Sequence, residues 1–364
     1  MDSVTQAVLG ATVQGAILGR WQGRKALVYG AILGTLPDLD VVLDFGDAVA
    51  NMTQHRGFSH SLFVLIPLAA MMTWVIRRYR PHPDYTSLRL FTCIALVLVT
   101  HVLLDVFTTY GTQIFWPLPV TPAAISSIFI IDPLYTLPLL IATIVGLIIG
   151  LGRRGMRLQY LALIVSTAYL ASTLAGKSMA DQKLEQALAQ AGIQAEITFS
   201  APTPFNTVLW RVVAVAGDHY YEGLVSWVDS EPPELVQLPR NASVARPALA
   251  DSPQHERLRW FTRDILRYDL IDDQWVVTDL RLGMPGYHPF RFALAQRDDP
   301  AEGFVPISQT EYWPTPDRDY SLLTDLARRA FDPAEHIPIE AWASDMRPGP
   351  PWQIPVRKGT GTLR

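Results

Sequence analysis

The chain has 364 residues, 49% of them hydrophobic and 18% charged, with a formal net charge of −4 and a mean hydropathy of +0.17. That balance is too apolar for an ordinary soluble enzyme and too polar for a wholly membrane-embedded protein, and the slight negative charge argues against a nucleic-acid-binding surface. A split architecture fits, because apolar runs crowd into residues 1–176 and most of the charge lies in 177–364.

The first apolar segment, Val4 to Leu18, is rich in small residues, with Gly10 and Gly15 on it, and such residues let helices approach closely in a bilayer. Asp2 precedes it where a signal peptide would carry basic residues, so this helix is expected to be retained. Arg20, Arg24 and Lys25 form a basic turn, and a second segment runs from Ala26 to Leu36 before Pro37-Asp38-Leu39-Asp40. Both are shorter than the roughly twenty residues that cross a bilayer. A polar loop, Asp44 to Gly57, leads to a third segment, Leu62 to Ile76, which ends in Arg77, Arg78 and Arg80. The fourth, Leu88 to Phe107, carries Cys93, His101 and Asp105, and the lone cysteine has no intrachain partner. A fifth runs from Ile130 to Leu151 and stops at Arg153, Arg154 and Arg157; the sixth covers Leu158 to Leu174.

The basic clusters follow the first, third and fifth segments, so the positive-inside rule assigns those ends to the cytoplasm. The opposite ends then face outward together: Asp38, Asp40, His55, His60, His101, Asp105 and everything after about residue 176. Both termini are expected outside. Beyond the sixth segment, Ser178 to Ala191 has helical spacing and stops at Gly192. Val208–Val215 with Tyr220–Val228, and Ile265–Leu270 with Trp275–Leu282, read as hairpins, followed by a strand at Phe290–Ala295. The predicted fold is therefore an N-terminal α-helical membrane bundle of about six segments (1–176), a C-terminal extracytoplasmic α+β, largely antiparallel domain (177–345), and a loose Pro/Gly-rich tail (346–364).

His101 and Asp105 are four apart on a predicted helix and share one face. With His60, Asp38 and His55 they form the candidate metal-ligand set, and mixed imidazole and carboxylate donors suit zinc, with manganese or iron as alternatives. Six candidate donors, Asp40 included, exceed one tetrahedral site and allow a cluster of ions. Bound metal would activate water, Asp38 or Asp40 would act as general base, and Arg56 would hold an anionic substrate. Thr108, Thr109, Gln113, Trp116 and Asp132 are candidates for the rim or the outer shell, although Asp132 before Pro133 equally fits a helix N-cap. Asp218, His219, His255 and His288 lack ligand spacing.

Pro-Asp-Leu-Asp at 37–40, His-Arg-Gly-Phe-Ser-His-Ser at 55–61, and His101-x-x-x-Asp105 followed by Thr108, Gly111 and Trp116-Pro117 resemble the YdjM-type family of bacterial inner-membrane proteins. Those proteins are described as metal-dependent hydrolases, and the resemblance covers roughly residues 1–175. More remotely, the family is similar to the zinc-dependent phospholipases C and single-strand nucleases, which implies ligand roles for His101 and Asp105. Many members carry a histidine early in the first helix where this chain has Gln6, which implies that one ligand position is lost here. The resemblance implies a membrane hydrolase with a phosphoester or lipid-headgroup substrate at the outer face of the inner membrane. A non-catalytic, metal-binding scaffold that recruits a partner through the C-terminal domain is the rival expectation. A transporter is disfavoured because the ionisable residues cluster at one face.

Overall fold

A computed structural model describes residues 1–344 apart from 300, 302 and 315–320, so the tail expected at 346–364 lies outside the described residues. Each apolar segment of the N-terminal half lies on a helix: α1 Ser3–Gln22, α2 Lys25–Thr35, α4 Leu62–Tyr79, α5 Ser87–Phe107, α6 Pro133–Ile149 and α7 Arg153–Ala191. A short helix, α3 Ala48–Gln54, and two single-turn 3-10 helices, Pro37–Val42 and Phe58–His60, fill the polar loop between α2 and α4. Among the described helices, α4, α5 and α7 are long and apolar enough to cross a membrane.

Glycine decides how α1 meets α2. A Cβ on Gly34 would lie 2.5 Å from the Gln6 carbonyl oxygen, so the two backbones pack at a distance no larger residue permits. The basic clusters gather at one end of this helical region. Arg24 donates to the carbonyls of Leu147 and Ile148 at 2.6 and 2.8 Å, Arg89 stacks 4.6 Å from the Trp21 ring, and Gln22 reaches the Tyr85 hydroxyl at 3.3 Å. At the other end, the start of α1 meets the end of α5 through Gln6 and Asp105.

The helices expected at 158–174 and 178–191 are one element. α7 runs unbroken for 39 residues, so the boundary expected at 176 falls inside it. At 1.5 Å per residue it is about 58 Å long, well beyond a bilayer's hydrocarbon core. Its C-terminal half therefore becomes a ridge for the first sheet: Ala180, Leu184 and Leu188 pack on Trp210, Val212 and Val225. Gly176 belongs to the same seam, where a Cβ would sit 2.5 Å from the Trp210 ring.

Two antiparallel four-stranded sheets follow among the described residues: β1 Ile197–Pro202, β2 Leu209–Ala216, β3 His219–Ser226 and β4 Val236–Pro239, then β5 Leu266–Ile271, β6 Gln274–Asp279, β7 Arg291–Gln296 and β8 Val305–Pro306. The hairpin positions match the alternating β-branched and aromatic runs of the sequence. Helices α8 Ala242–Ala248 and α9 Pro253–Thr262 link the sheets, and α10 Ser321–Arg329 and α11 Ile339–Ser344 come after them. One packing contact matters for the site. Ala48, Val49 and Met52 of α3 share a core with Leu258 and Phe261 of α9 and Phe292 of β7. The loop that carries the histidines is thus anchored to the second sheet.

Candidate metal centre

Near the C-terminal end of α5, one helical turn brings His101 and Asp105 to the same face, and both are buried. His60 arrives from the turn Phe58–His60 and Asp38 from the turn Pro37–Val42. Among the described residues, these four form the group able to hold a metal ion, their ligand atoms all within 4.8 Å of one another.

Their orientation is set from behind. His101 Nδ1 lies 2.6 Å from the Gly34 carbonyl oxygen, which only accepts, so Nδ1 carries the proton and Nε2 keeps its lone pair. The Ser59 hydroxyl donates to Asp40 at 2.6 Å, so its oxygen accepts from His60 Nδ1 at 2.9 Å. His60 Nε2 is left as an acceptor too. The two Nε2 atoms face each other at 3.2 Å, with the Asp38 carboxylate 3.4 Å from His60 and 3.5 Å from His101. Asp105 Oδ2 stands 3.1 Å from His60 and 3.6 Å from His101. Asp105 Oδ1 is turned away and saturated by Gln6 Nε2 at 3.0 Å, Arg56 Nη2 at 3.2 Å and the α-amino group of Met1.

These separations fit a single ion. Four donors at about 2.1 Å in a tetrahedron stand about 3.4 Å apart; the five separations that involve a histidine run from 3.1 to 3.6 Å, and all four ligand atoms lie within 4.8 Å of one another. Two imidazole lone pairs and two carboxylates facing one point repel each other without a cation between them. Asp38 Oδ1, buried and without a hydrogen-bond partner, points the same way. The second Asp38 oxygen keeps some exposure, since the side chain is 18% exposed.

The structure divides the remaining sequence candidates. His55 is not in the group, because its Nδ1 pairs with Asp40 at 2.8 Å. Asp40 is not free to act as a base: His55, the Arg56 backbone N–H at 3.0 Å and Ser59 occupy its oxygens. Burial would raise this carboxyl, yet the His55 contact and Ser59 bring it below the usual value. Arg56 is 3% exposed, spread between Asp105, Thr108 Oγ1 at 3.2 Å and the Tyr110 ring at 5.1 Å. It positions Asp105 rather than presenting a cation to solvent. Thr108 also donates to the Asp105 carbonyl at 2.7 Å, Gln113 donates to the Thr53 carbonyl at 2.7 Å, and the Trp116 carbonyl accepts from Ser61 at 2.6 Å. These three brace the loop, and Thr109 beside them is half-buried. Asp132 is elsewhere, capping α6 through the N–H groups of Leu134 and Tyr135 and accepting from Tyr169 at 2.8 Å. The four donors gathered here could hold an ion, and His55 and Asp40, which the wider set of six included, stand outside the group.

Residues 1–180 match the YdjM inner membrane protein family. The match takes in just under half of the chain. The uncharacterized protein YfhP of Bacillus subtilis (strain 168) is 31% identical over 140 residues, 36% of this chain and 42% of YfhP. The inner membrane protein YbcI of Escherichia coli (strain K12) is 34% identical over 96 residues, 26% of this chain and 54% of YbcI. The matches thus span about half the length of these relatives. No solved structure matches.

Three contributors escaped the sequence reading. Ser59 bridges Asp40 to His60, while Ser61 caps α4. Gly34 offers its backbone carbonyl, which no side-chain pattern reveals. Gln6 proves to be an outer-shell donor to Asp105, so it stands beside the four donors instead of leaving a gap among them.

Proposed function

We propose that the YdjM-family region is a membrane-bound, metal-dependent hydrolase acting on a phosphoester or lipid-headgroup substrate. The observation that carries this is the convergence of His60, His101, Asp38 and Asp105 at the spacing of one tetrahedral ion. Zinc suits two imidazoles and two carboxylates, with manganese or iron as alternatives. A bound divalent ion would supply Lewis acidity and a nucleophilic water at neutral pH. The chain's own residues hold everything else. Gly34 and the Asp40–Ser59 pair fix the imidazole tautomers, Arg56 and Gln6 hold Asp105, and Asp38, the least buried of the four at 18% side-chain exposure, borders the approach.

For topology, we propose that the end bearing the basic clusters is cytoplasmic and that the site and the C-terminal domain lie on the outer face of the inner membrane. A reporter fused after residue 344 tests this; a cytoplasmic signal refutes it. The purified protein is expected to retain about one equivalent of divalent metal and to hydrolyse a generic phosphodiester, and both are lost in Asp105→Ala. Wild-type metal content in that variant would rule the site out. The rival reading, a non-catalytic metal-binding scaffold, draws support from the near-complete burial of three of the four donors, since structural sites are closed. Metal retention without any hydrolysis, across several phosphoester classes, would favour it.

A further inference from the structure

The turn Pro37–Val42 is a 3-10 helix, in which side chains three apart eclipse. Its residues therefore form three rows. Pro37 and Asp40 make the buried row, which the burial of both bears out. Asp38 and Val41 make a second row, and Leu39 and Val42 a third. Val41 thus lies one turn, about 6 Å, beyond the donor Asp38 along the same face. It is 70% exposed, Val42 78% and Leu39 55%.

His60, His101 and Asp105 are sealed, while the Asp38 side chain keeps some exposure, so the site is approached from the Asp38 side. A reactant coming that way passes Val41. Water-soluble phosphoesters gain nothing from three bare aliphatic side chains at an entrance, whereas an acyl chain does, at roughly 0.8 kcal/mol per methylene buried. Helix α2, which leads into this turn, also exposes aliphatic side chains, Val28 and Ile32, one helical turn apart. Exposed aliphatic side chains thus stand both on the turn that carries Asp38 and on α2, the helix before it.

We infer that the site takes its phosphoester from a lipid, with the headgroup at the metal position and the acyl portion lying against Val41, Val42 and the exposed face of α2. This rests on the metal-site reading, and the test separates the two. The full-length protein is placed in nanodiscs of palmitoyl-oleoyl phosphatidylglycerol with one equivalent of Mn2+, and free ion is removed. Electron paramagnetic resonance reports whether Mn2+ is held, and 31P relaxation reports how near lipid phosphorus comes to it. The inference predicts bound Mn2+ and strong 31P relaxation, both absent in His60→Ala. Val41→Asp is predicted to keep the Mn2+ signal while cutting the 31P relaxation at least twofold. Bound Mn2+ without lipid relaxation overturns the lipid route and leaves the metal site standing, as does relaxation that Val41→Asp leaves unchanged. No bound Mn2+ overturns both.

Discussion

At the scale of single residues, the site is a small number of donors and a larger number of groups that aim them. Asp40 is the clearest case. It touches none of the ligand atoms, yet it accepts from His55, from Ser59 and from the Arg56 backbone. Asp40→Asn replaces one acceptor oxygen with a donor NH2, so Ser59 loses its fixed orientation and His60 its tautomer. Metal affinity is expected to fall 10- to 100-fold, the usual cost of disturbing an outer-shell partner. Titration against a chromophoric chelator measures it, and unchanged affinity would remove Asp40 from the site's architecture. His55→Gln makes the contrast, because His55 lies outside the donor group: metal stoichiometry should stay at the wild-type value. The sequence made the donors legible, since His101-x-x-x-Asp105 on an apolar helix fixes two of them by periodicity alone. It placed Asp38 and not Asp40 in the ligand set but left the two interchangeable as the general base. Only the row pattern of a 3-10 turn sends one outward to the site and the other inward, and a Pro-Asp-Leu-Asp string does not announce that turn.

At the scale of elements, the unexpected piece is α3. Its seven residues lie between two donor-bearing turns, but its apolar side packs into the second sheet's core. Tyr110 extends the same seam: its hydroxyl donates to the Met52 carbonyl at 2.7 Å, and its ring meets Phe261 at 5.7 Å, Phe290 at 5.8 Å and His55 at 5.5 Å. Arg257 of α9 ties down Thr53 through its hydroxyl at 3.0 Å and its carbonyl at 3.2 Å. Phe261→Ala should cost about 3–5 kcal/mol of stability, as truncation of a buried aromatic does. Because the Tyr110 ring supports Arg56, that substitution should also weaken metal binding, which equilibrium dialysis at a temperature below unfolding would detect. The strands were readable because β-branched alternation is a local signal. The α3 anchorage was not, because it joins residues some 200 apart through hydrophobic contact. Another local effect sits in α9. Burial, aided by nearby Arg259, lowers His255 to about 4 from its ordinary 6.5. Between those pH values the unfolded chain binds more protons, so the stability His255 contributes is whole above 6.5 and lost as pH falls toward 4. Denaturant unfolding at pH 7 and pH 4.5 should show a loss that His255→Gln makes smaller.

At the scale of the molecule, two of the connections between the helical region and the sheets differ in character. α7 passes straight from one to the other and carries the first sheet on its C-terminal half, in a cluster that includes none of the metal donors. The second sheet instead touches the donor loops through α3, Tyr110 and Thr310, whose carbonyl accepts from the Ala48 N–H at 2.9 Å. A cation that draws His60, His101, Asp38 and Asp105 together stabilises whatever is packed on their loops, by about 2.7 kcal/mol at a metal concentration one hundred times Kd. That stabilisation should reach the two sheets unequally. Chelation is therefore expected to speed amide exchange in α3, in residues 108–113 and in α9, while the β2–β3 hairpin and the α7 ridge beneath it keep their protection. Hydrogen exchange with mass spectrometry, on protein with and without chelator, reads both regions in one experiment. Equal loosening of both sheets would mean that the molecule responds as one cooperative body. A response confined to the donors would mean that the α3 seam transmits nothing. The contrast between the two sheets is the signature of a metal centre buttressed from one side.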